Sequence, residues 1–161
     1  MDTALMLTST AFANGGVIPE EYTCDGKREL SPPLAISGAP EGTKSFVLIM
    51  DDPDIPEVFK ESHGIDSFDH WTLYNIPAST TEIPENSTVG TSGLNGAGKE
   101  GYIGPCPPPQ YEPREHRYIF KLYALRDTVH FEAPPTKQNV LDALAPLLLA
   151  ETELIGRYSR K

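Results

Sequence analysis

The sequence has no apolar run near the roughly 18 residues that a membrane-spanning helix needs. Its first residues, Met1–Met6, show no basic segment followed by a long apolar stretch. These absences predict a cytoplasmic protein without a signal peptide or transmembrane segment. Basic residues are also few, because 13 lysines and arginines stand against 23 aspartates and glutamates, giving a formal charge of −10. Nucleic acids and anionic membranes need a basic surface, so we expect neither as a partner.

Cysteine is equally scarce, with Cys24 and Cys106 as the only two. They could form one disulfide, but thiols stay reduced in the cytosol, so we expect both to be free. The sequence has no Cys-x-x-Cys spacing, and a metal site at this pair would need added histidine or carboxylate ligands. We therefore predict no metal and no other cofactor.

Turn-forming residues indicate how the chain is organised. The 16 prolines and 13 glycines are spread along it rather than collected in a linker, which predicts a single domain, residues 1–161. Strands are predicted at Leu5–Phe12, Pro33–Ile36, Ser45–Met50, Trp71–Ile76 and Tyr118–Leu125. The last three are the most apolar, so we expect them to be antiparallel neighbours in a buried sheet. The segments 57–69 and 84–100 are predicted long loops.

One helix is predicted near the C-terminus, where Thr136 can cap its first turn. Apolar residues recur after it at helical spacing, at Val140, Leu141, Leu144, Leu147 and Leu148. Pro146 must end, kink or restart this helix, because proline lacks the N–H that the helix needs.

Polar side chains gather at the ends of the predicted central strands. Asp51, Asp52 and Asp54 follow one strand, and His70 opens the next. An extended backbone sends Asp52 and Asp54 to one side of the chain and Asp51 to the other. Read alone, the acidic cluster is more typical of a turn whose carboxylates cap N–H groups, and a lone histidine is usually structural. Together, these residues predict a small binding cavity, because strand ends hold functional loops rigidly.

Two further clusters belong to the same pattern. His116 and Tyr118 share a face of the last strand, and Arg117 points the other way, so we expect a carboxylate of the Asp51–Asp54 loop to pair with this buried or semi-buried arginine. The segment Gly104–Pro109 contains four prolines, which leaves few backbone donors; the free amide at Cys106 could face an anion. The alternative for this segment is a proline-rich surface turn.

These motifs resemble the phosphatidylethanolamine-binding protein family, in its bacterial and archaeal branch. The resemblance rests on the Asp52-Pro53-Asp54-Ile55-Pro56 block and on the His116-Arg117-Tyr118 block, in that order. It extends nearly end to end, through Ile18-Pro19, Tyr22–Gly26, Ser31–Leu34, His70–Pro77 and Gly101–Pro108. It implies a mainly β fold, with antiparallel sheets in a Greek-key-like β-sandwich, a C-terminal helix and short peripheral helices.

The resemblance also implies a pocket for phosphate-like head groups, without catalytic residues. Its ligand-binding residues would be Asp52, Asp54, His70, Gly104, Pro105, Cys106, Pro107, His116 and Tyr118, supported by Arg117 and Trp71. The segment 57–69 would cover or narrow the pocket mouth.

We therefore predict non-enzymatic binding of a small anion or phosphoryl head group by a monomer or homodimer. Modulation of a partner protein, such as a kinase or a protease, is its expected output. One alternative is a hydrolase that uses the Asp and His groups for acid–base chemistry and Cys106, or a nearby serine or threonine, as the nucleophile. Another is a metal site at the same Asp and His side chains.

Overall fold

The computed structural model describes residues 4–161, which form nine strands and two α-helices. The strands are β1 (Met6–Thr8), β2 (Gly16–Val17), β3 (Leu34–Ser37), β4 (Ser45–Asp52), β5 (Phe68–Pro77), β6 (Glu82–Ile83), β7 (Thr91–Ser92), β8 (His116–Leu125) and β9 (Leu148–Tyr158). The helices are α1 (Glu57–His63) and α2 (Lys137–Leu144), and short 3-10 turns lie at Glu20–Tyr22 and Ala145–Leu147. The class is mainly β, as predicted.

Strand β4 is the centre of the larger sheet, whose order is β2-β9-β8-β4-β5-β7. It lies between β5 and β8 and is antiparallel to both, which confirms the predicted neighbours. Phe46 and Leu48 face a core shared with the smaller sheet, β1-β3-β6. Val47 and Ile49 face a second core that includes residues of α2. Burial on both faces explains the unbroken apolar run, since each such side chain contributes about 1.5–3 kcal/mol.

Helix α2 forms as predicted. The Thr136 side chain accepts a bond from the Asn139 N–H, and the Asn139 side chain accepts one from the Thr136 N–H, so the first turn is capped twice. Pro146 lies in the 3-10 turn that ends the helical segment. The strand β9 that follows was not predicted, and Leu148 belongs to it rather than to the helix. The β9 sequence contains two glutamates and few residues with a high strand propensity, so its sequence alone does not predict a strand. Pairing with β8 along its length outweighs this low propensity.

Two other predicted segments differ from the structure. The first strand is shorter than predicted, because the chain leaves β1 after Thr8 and turns toward β2. The segment 57–69, predicted as a loop, contains α1, which follows Pro56 and ends at Gly64 in the left-handed conformation that favours glycine. The segment 84–100 is mostly loop, with the two-residue strand β7 inside it. No helix among residues 4–161 is long and apolar enough to cross a membrane. The Greek-key arrangement stays a prediction.

Candidate functional site

A cavity of about 240 Å³ opens where β4 ends and where β5 and β8 begin. Because β4 is antiparallel to both neighbours, these three strand ends lie at the same edge of the sheet. The cavity contains no lysine or arginine in its wall, which is made of Asp52, Ile55, Pro56, Phe59, Phe68, His70, Ile103, Gly104, Cys106, Pro107, Pro108 and His116. The structure thus brings together Asp52, His70 and His116, as the strand-end pattern predicts.

A β-bulge sets the direction of His70. Met50 pairs with Trp71 while Asp51 pairs with Asp69, so His70 is the extra residue in β5. Strict alternation would send His70 and Trp71 to opposite faces, and the bulge removes that constraint. Trp71 packs in the shared core, and the His70 ring lies edge-on, 5.2 Å from the ring of Tyr118, a residue of that same core.

The Asp52 carboxylate is held by both of its oxygens. His116 Nδ1 lies 2.6 Å from Oδ2, and the Asp54 N–H donates to Oδ1 at 2.8 Å. Both side chains are almost fully buried, His116 at 1% exposed and Asp52 at 4%. A buried charge needs such partners, so this pair fixes the position of the imidazole as firmly as that of the carboxylate.

Arg117 anchors the loop that follows β4. Its N–H and Nε both donate to Asp54 Oδ2 at 2.8 Å, and Nη2 donates to Oδ1 at 2.9 Å. These bonds lower the pKa of the Asp54 carboxyl, because they stabilise its charged form. The predicted carboxylate partner is therefore correct, but the predicted burial is wrong, since the Arg117 side chain is 55% exposed.

Tyr118 lies behind the cavity wall, between the two imidazoles. Its ring centroid is 5.2 Å from that of His70 and 6.3 Å from that of His116. Within residues 4–161, the buried Tyr118 hydroxyl and the buried His116 Nε2 have no hydrogen-bond partner. Burial raises the pKa of Tyr118, so its hydroxyl stays protonated and is available as a donor. Buried polar atoms without partners are rare in folded proteins and mark places where a ligand or water would be bound.

The proline-rich segment forms the opposite wall, and contacts on two sides hold it. Ile103 exchanges two bonds with His70, because its N–H donates to the His70 carbonyl at 2.9 Å while His70 Nδ1 lies 2.7 Å from the Ile103 carbonyl. The Gly104 N–H donates to Glu29 at 3.0 Å, so it is not free for a ligand, although Gly104 lines the cavity as predicted. A Cβ at position 104 would come within 2.9 Å of the Tyr22 carbonyl, so only glycine allows this close approach.

The expectation of free thiols is wrong. Cys24 and Cys106 form a disulfide across a sequence separation of 82, and the Cys24 N–H donates to the Pro105 carbonyl beside it. The two cysteines meet because the 20–29 segment packs against the proline-rich wall, which sequence spacing does not reveal. Cys106 therefore offers no thiol as a nucleophile, while its N–H has no acceptor among the described residues. Disulfides are typical of oxidising compartments, so the bond weighs against the predicted reducing cytoplasm.

Three predicted binding residues lie outside the wall itself. Asp54 and Tyr118 support it from behind, and Pro105 contributes its carbonyl to the contact with Cys24. Trp71 also acts indirectly, because its ring stacks on that of Tyr102 at 5.4 Å next to the proline-rich segment.

Sequence reasoning missed the apolar part of the wall, above all Phe59 of α1. Phe59 packs edge-on against Tyr111 at 5.2 Å and lines the cavity, so the segment 57–69 contributes to its wall, while narrowing of the mouth stays a prediction. A second cavity of about 590 Å³ adjoins the first and shares Ile55, Phe59 and Phe68 with it. An apolar residue inside the predicted loop was the only signal that could have identified this wall.

A separate charged cluster lies on the other face of the sheet, as the opposite direction of Asp51 predicts. Lys137 Nζ lies 3.0 Å from Asp51 and 2.8 Å from Asp69, and it also donates to Ser67 at 3.1 Å. Burial lowers the pKa of Lys137, but its bonds to the two carboxylates outweigh this and raise it. The cluster ties the first residue of α2 to the ends of β4 and β5 that carry the cavity.

The described residues do not support the metal-site alternative. Within residues 4–161, no group of three or more histidine, cysteine, aspartate or glutamate side chains is placed to hold a metal ion. The imidazoles use Nδ1 for bonds within the protein, which leaves only Nε2 on each ring for a ligand.

Comparison with known proteins agrees with this geometry. Residues 8–159 match the family model described as phosphatidylethanolamine-binding protein. The chain belongs to this family. It is 41% identical to a UPF0098 protein of Aquifex aeolicus, over 94% of this chain and 86% of that protein. It is 39% identical to a UPF0098 protein of Chlamydia trachomatis, over 97% and 99% of the two chains.

Two solved structures of family members have the same fold along nearly the whole chain, and a third protein shares it more loosely. A homologue from Chlamydia trachomatis superposes with a TM-score of 0.90 at 38% identity, covering 98% of this chain and 99% of that one. YbcL of E. coli, described as a member of the mammalian family, gives 0.83 at 29% identity, covering 99% and 100%. A carboxypeptidase Y inhibitor solved with its cognate proteinase gives 0.52 at 17% identity, covering 99% and 84%, a likeness of fold alone.

Proposed function

We propose that this family member binds a small phosphoryl-bearing anion, without catalysis, in the cavity between Asp52, His70 and His116. One observation carries the proposal: among residues 4–161, His116 Nε2 in the cavity wall and the Tyr118 hydroxyl directly behind that wall are buried without a hydrogen-bond partner. A phosphoryl oxygen accepting from the hydroxyl would remove the cost of leaving it unpaired, about 1–3 kcal/mol. The stiff wall that residues 103–108 form around the cavity favours recognition of a small rigid group over a flexible chain.

The adjoining cavity supports a larger ligand of the same class. Ile55, Phe59 and Phe68 line both cavities, and Ile65 adds to the apolar part of the larger one, whose wall also contains His63, Ser67, Asp69 and Gly96. A phosphoryl group in the smaller cavity would leave an apolar substituent in the larger one. A free phosphate and a phosphoryl head group therefore share the proposed site.

The direct test is calorimetric titration of the purified protein with inorganic phosphate. We expect one site per chain, and we expect Tyr118→Phe to weaken binding about tenfold, the worth of one hydrogen bond to a charged group. This variant removes only an unpaired hydroxyl, so its thermal midpoint should be unchanged or higher. The matched control is His130→Ala, which removes an exposed imidazole outside the cavity and should bind like the wild type. Equal affinities for wild type and Tyr118→Phe would contradict the proposal.

A second assay, which measures hydrolysis of chromogenic substrates, tests the hydrolase alternative. Asp52 and His116 resemble the acid–base half of a catalytic site, but among residues 4–161 no serine or threonine lines the cavity, and Cys106 is disulfide-bonded. We expect no turnover of chromogenic phosphate, ester or peptide substrates. Hydrolysis that disappears in His116→Ala would replace the binding proposal with an enzyme that activates water.

Modulation of a partner protein would be an output of the same site. The likeness to the carboxypeptidase Y inhibitor is a likeness of fold, so it names no partner for this chain. Ligand-dependent inhibition, measured against a panel of kinases and proteases with and without phosphate, tests this output.

A further inference from the structure

The His70 bond to Ile103 determines which ring nitrogen carries the proton. A carbonyl oxygen can only accept, so His70 Nδ1, 2.7 Å from the Ile103 carbonyl, must donate. The Ile103 N–H holds the backbone of His70 in return, which keeps the ring in this orientation. In a neutral imidazole the other nitrogen then has a lone pair and no proton. Within residues 4–161, His70 Nε2 has no hydrogen-bond partner, and His70 lines the cavity.

The surroundings of His70 keep the ring neutral at physiological pH. Burial is the largest influence and lowers its pKa, and His116 from β8 acts in the same direction. The Ile103 carbonyl, Asp52 from β4 and Asp69 from the same strand act in the opposite direction and do not outweigh burial. The rings of Phe68 and Tyr118 pack edge-on against the imidazole at 5.0 and 5.2 Å and contribute to its burial. Nε2 of His70 is therefore an acceptor inside an anion-sized cavity.

No other group in the cavity wall supplies the positive charge that the neutral His70 ring lacks. It contains the Asp52 carboxylate and no lysine or arginine. Asp52 holds a proton on His116 Nδ1, so His116 offers the cavity Nε2 alone, as a second acceptor when the ring is neutral. Among the described residues, the Cys106 N–H in the wall and the Tyr118 hydroxyl behind it are donors without an acceptor. Against these two neutral donors stand the Asp52 carboxylate and the acceptor Nε2 of His70, so the site disfavours an anion that has only acceptor oxygens and accommodates one that also brings a donor.

We infer that the cavity selects tetrahedral oxyanions that carry a proton of their own. The ligand hydroxyl would donate to His70 Nε2 while a charged oxygen accepts from Tyr118. Hydrogen phosphate meets this requirement throughout the neutral range, and a phosphate monoester meets it only below its second pKa of about 6. Sulfate and phosphodiester head groups carry no such proton. This inference rests on the proposed function and defines its ligand class.

The test compares inorganic phosphate with sulfate by calorimetry at about pH 8, where both are dianions of the same shape and differ by one proton. We expect phosphate to bind at least about tenfold more tightly, the worth of one hydrogen bond to a charged group. Sulfate should gain affinity on the protein side only at a pH below the ordinary imidazole pKa of about 6.5, because burial lowers the pKa of His70 and only its protonated ring can donate from Nε2. Glycerol phosphate should bind at about pH 5.5 and lose affinity at about pH 8, which distinguishes a monoester from free phosphate.

A variant identifies the residue responsible. A glutamine amide can offer either N–H or C=O, so His70→Gln should bring the phosphate-to-sulfate affinity ratio at about pH 8 close to one. In contrast, Tyr118→Phe should weaken both ligands and keep their ratio. A nitrogen-15 NMR spectrum of the histidines gives an independent readout, since it reports the Nδ1–H form of His70 without any variant.

The outcomes distinguish a failure of the proton requirement from a failure of the anion site itself. Equal binding of phosphate and sulfate by the wild type at about pH 8, or an Nε2–H form of His70, would overturn the proton requirement and leave the anion site intact. Binding of neither ion would overturn the proposed function itself. A selective wild type whose ratio survives in a folded His70→Gln would show that His70 is not the discriminating residue.

Discussion

Asp51→Asn is expected to stabilise this protein at alkaline pH. Asp51 is 13% exposed and shares one ammonium, that of Lys137, with Asp69. Burial raises the pKa of Asp51 to about 6, although Lys137 pulls it down, and the neighbouring Asp69 adds to the increase. Two carboxylates beside one ammonium leave an excess negative charge in a mostly buried cluster. The neutral asparagine amide of the variant removes this charge.

The sign and size follow from proton linkage. An unfolded aspartate has a pKa of about 3.9, so the folded state binds this proton more tightly. The wild type therefore has the full contribution of Asp51 below about pH 4 and loses it as pH rises through about 6. Between pH 4 and pH 8, the loss amounts to about 2 kcal/mol, since each pKa unit is worth about 1.4 kcal/mol and titration is already under way at pH 4.

Urea unfolding of wild type and Asp51→Asn at pH 4 and pH 8 measures this difference, with the exposed Asp66→Asn as a matched control. The stability of Asp51→Asn relative to wild type should rise by about 2 kcal/mol from the lower to the higher pH. The stability of Lys137→Met relative to wild type should instead fall between pH 4 and pH 8. At pH 8 this variant should lose about 3–5 kcal/mol of stability, because it leaves two carboxylates without their cation. Phosphate affinity should be the same in wild type and Asp51→Asn, since Asp51 lines neither the 240 Å³ cavity nor the adjoining one. A larger loss of stability at pH 8 than at pH 4 in Asp51→Asn would contradict this prediction, because attraction to Lys137 would then outweigh burial.

Three further predictions test the site and its support. Reduction of the disulfide, or Cys24→Ser with Cys106→Ser, should lower the free energy of unfolding by about 2–4 kcal/mol, because the bond closes a long loop across a separation of 82; equal urea midpoints before and after reduction would contradict this. Arg117→Lys keeps the charge but loses the two-bond fork to Asp54, and since the pair is half exposed we expect less than about 1 kcal/mol of lost stability by urea unfolding. Phe59→Ala should reduce the ratio of phenyl phosphate to inorganic phosphate affinity at about pH 6, because the phenyl group loses its apolar contact; an unchanged ratio in calorimetry would place the substituent elsewhere.

Local sequence was sufficient for the central sheet and for part of the site. The run from Phe46 to Met50 is apolar at every position, and a strand with both faces buried is the short element that needs this pattern. Period-two alternation placed Asp51 and Asp52 on opposite faces, where they now serve the Lys137 cluster and the cavity. Such features depend on the backbone period, which each residue and its near neighbours define.

The cavity itself depends on contacts between residues far apart in the chain. The direction of His70 comes from a bulge in the pairing of β4 with β5, and its tautomer comes from the Ile103 carbonyl, 33 residues away. Glu29 occupies the Gly104 amide across 75 positions, and Cys24 meets Cys106 across 82. Strand register, bulges and long-range pairs are chosen by the packing of the whole core, so neighbouring residues do not encode them. Composition and motifs therefore predicted which side chains lie at the strand ends. Which of their atoms remain free for a ligand depends on hydrogen bonds between distant residues, and these form only in the folded protein.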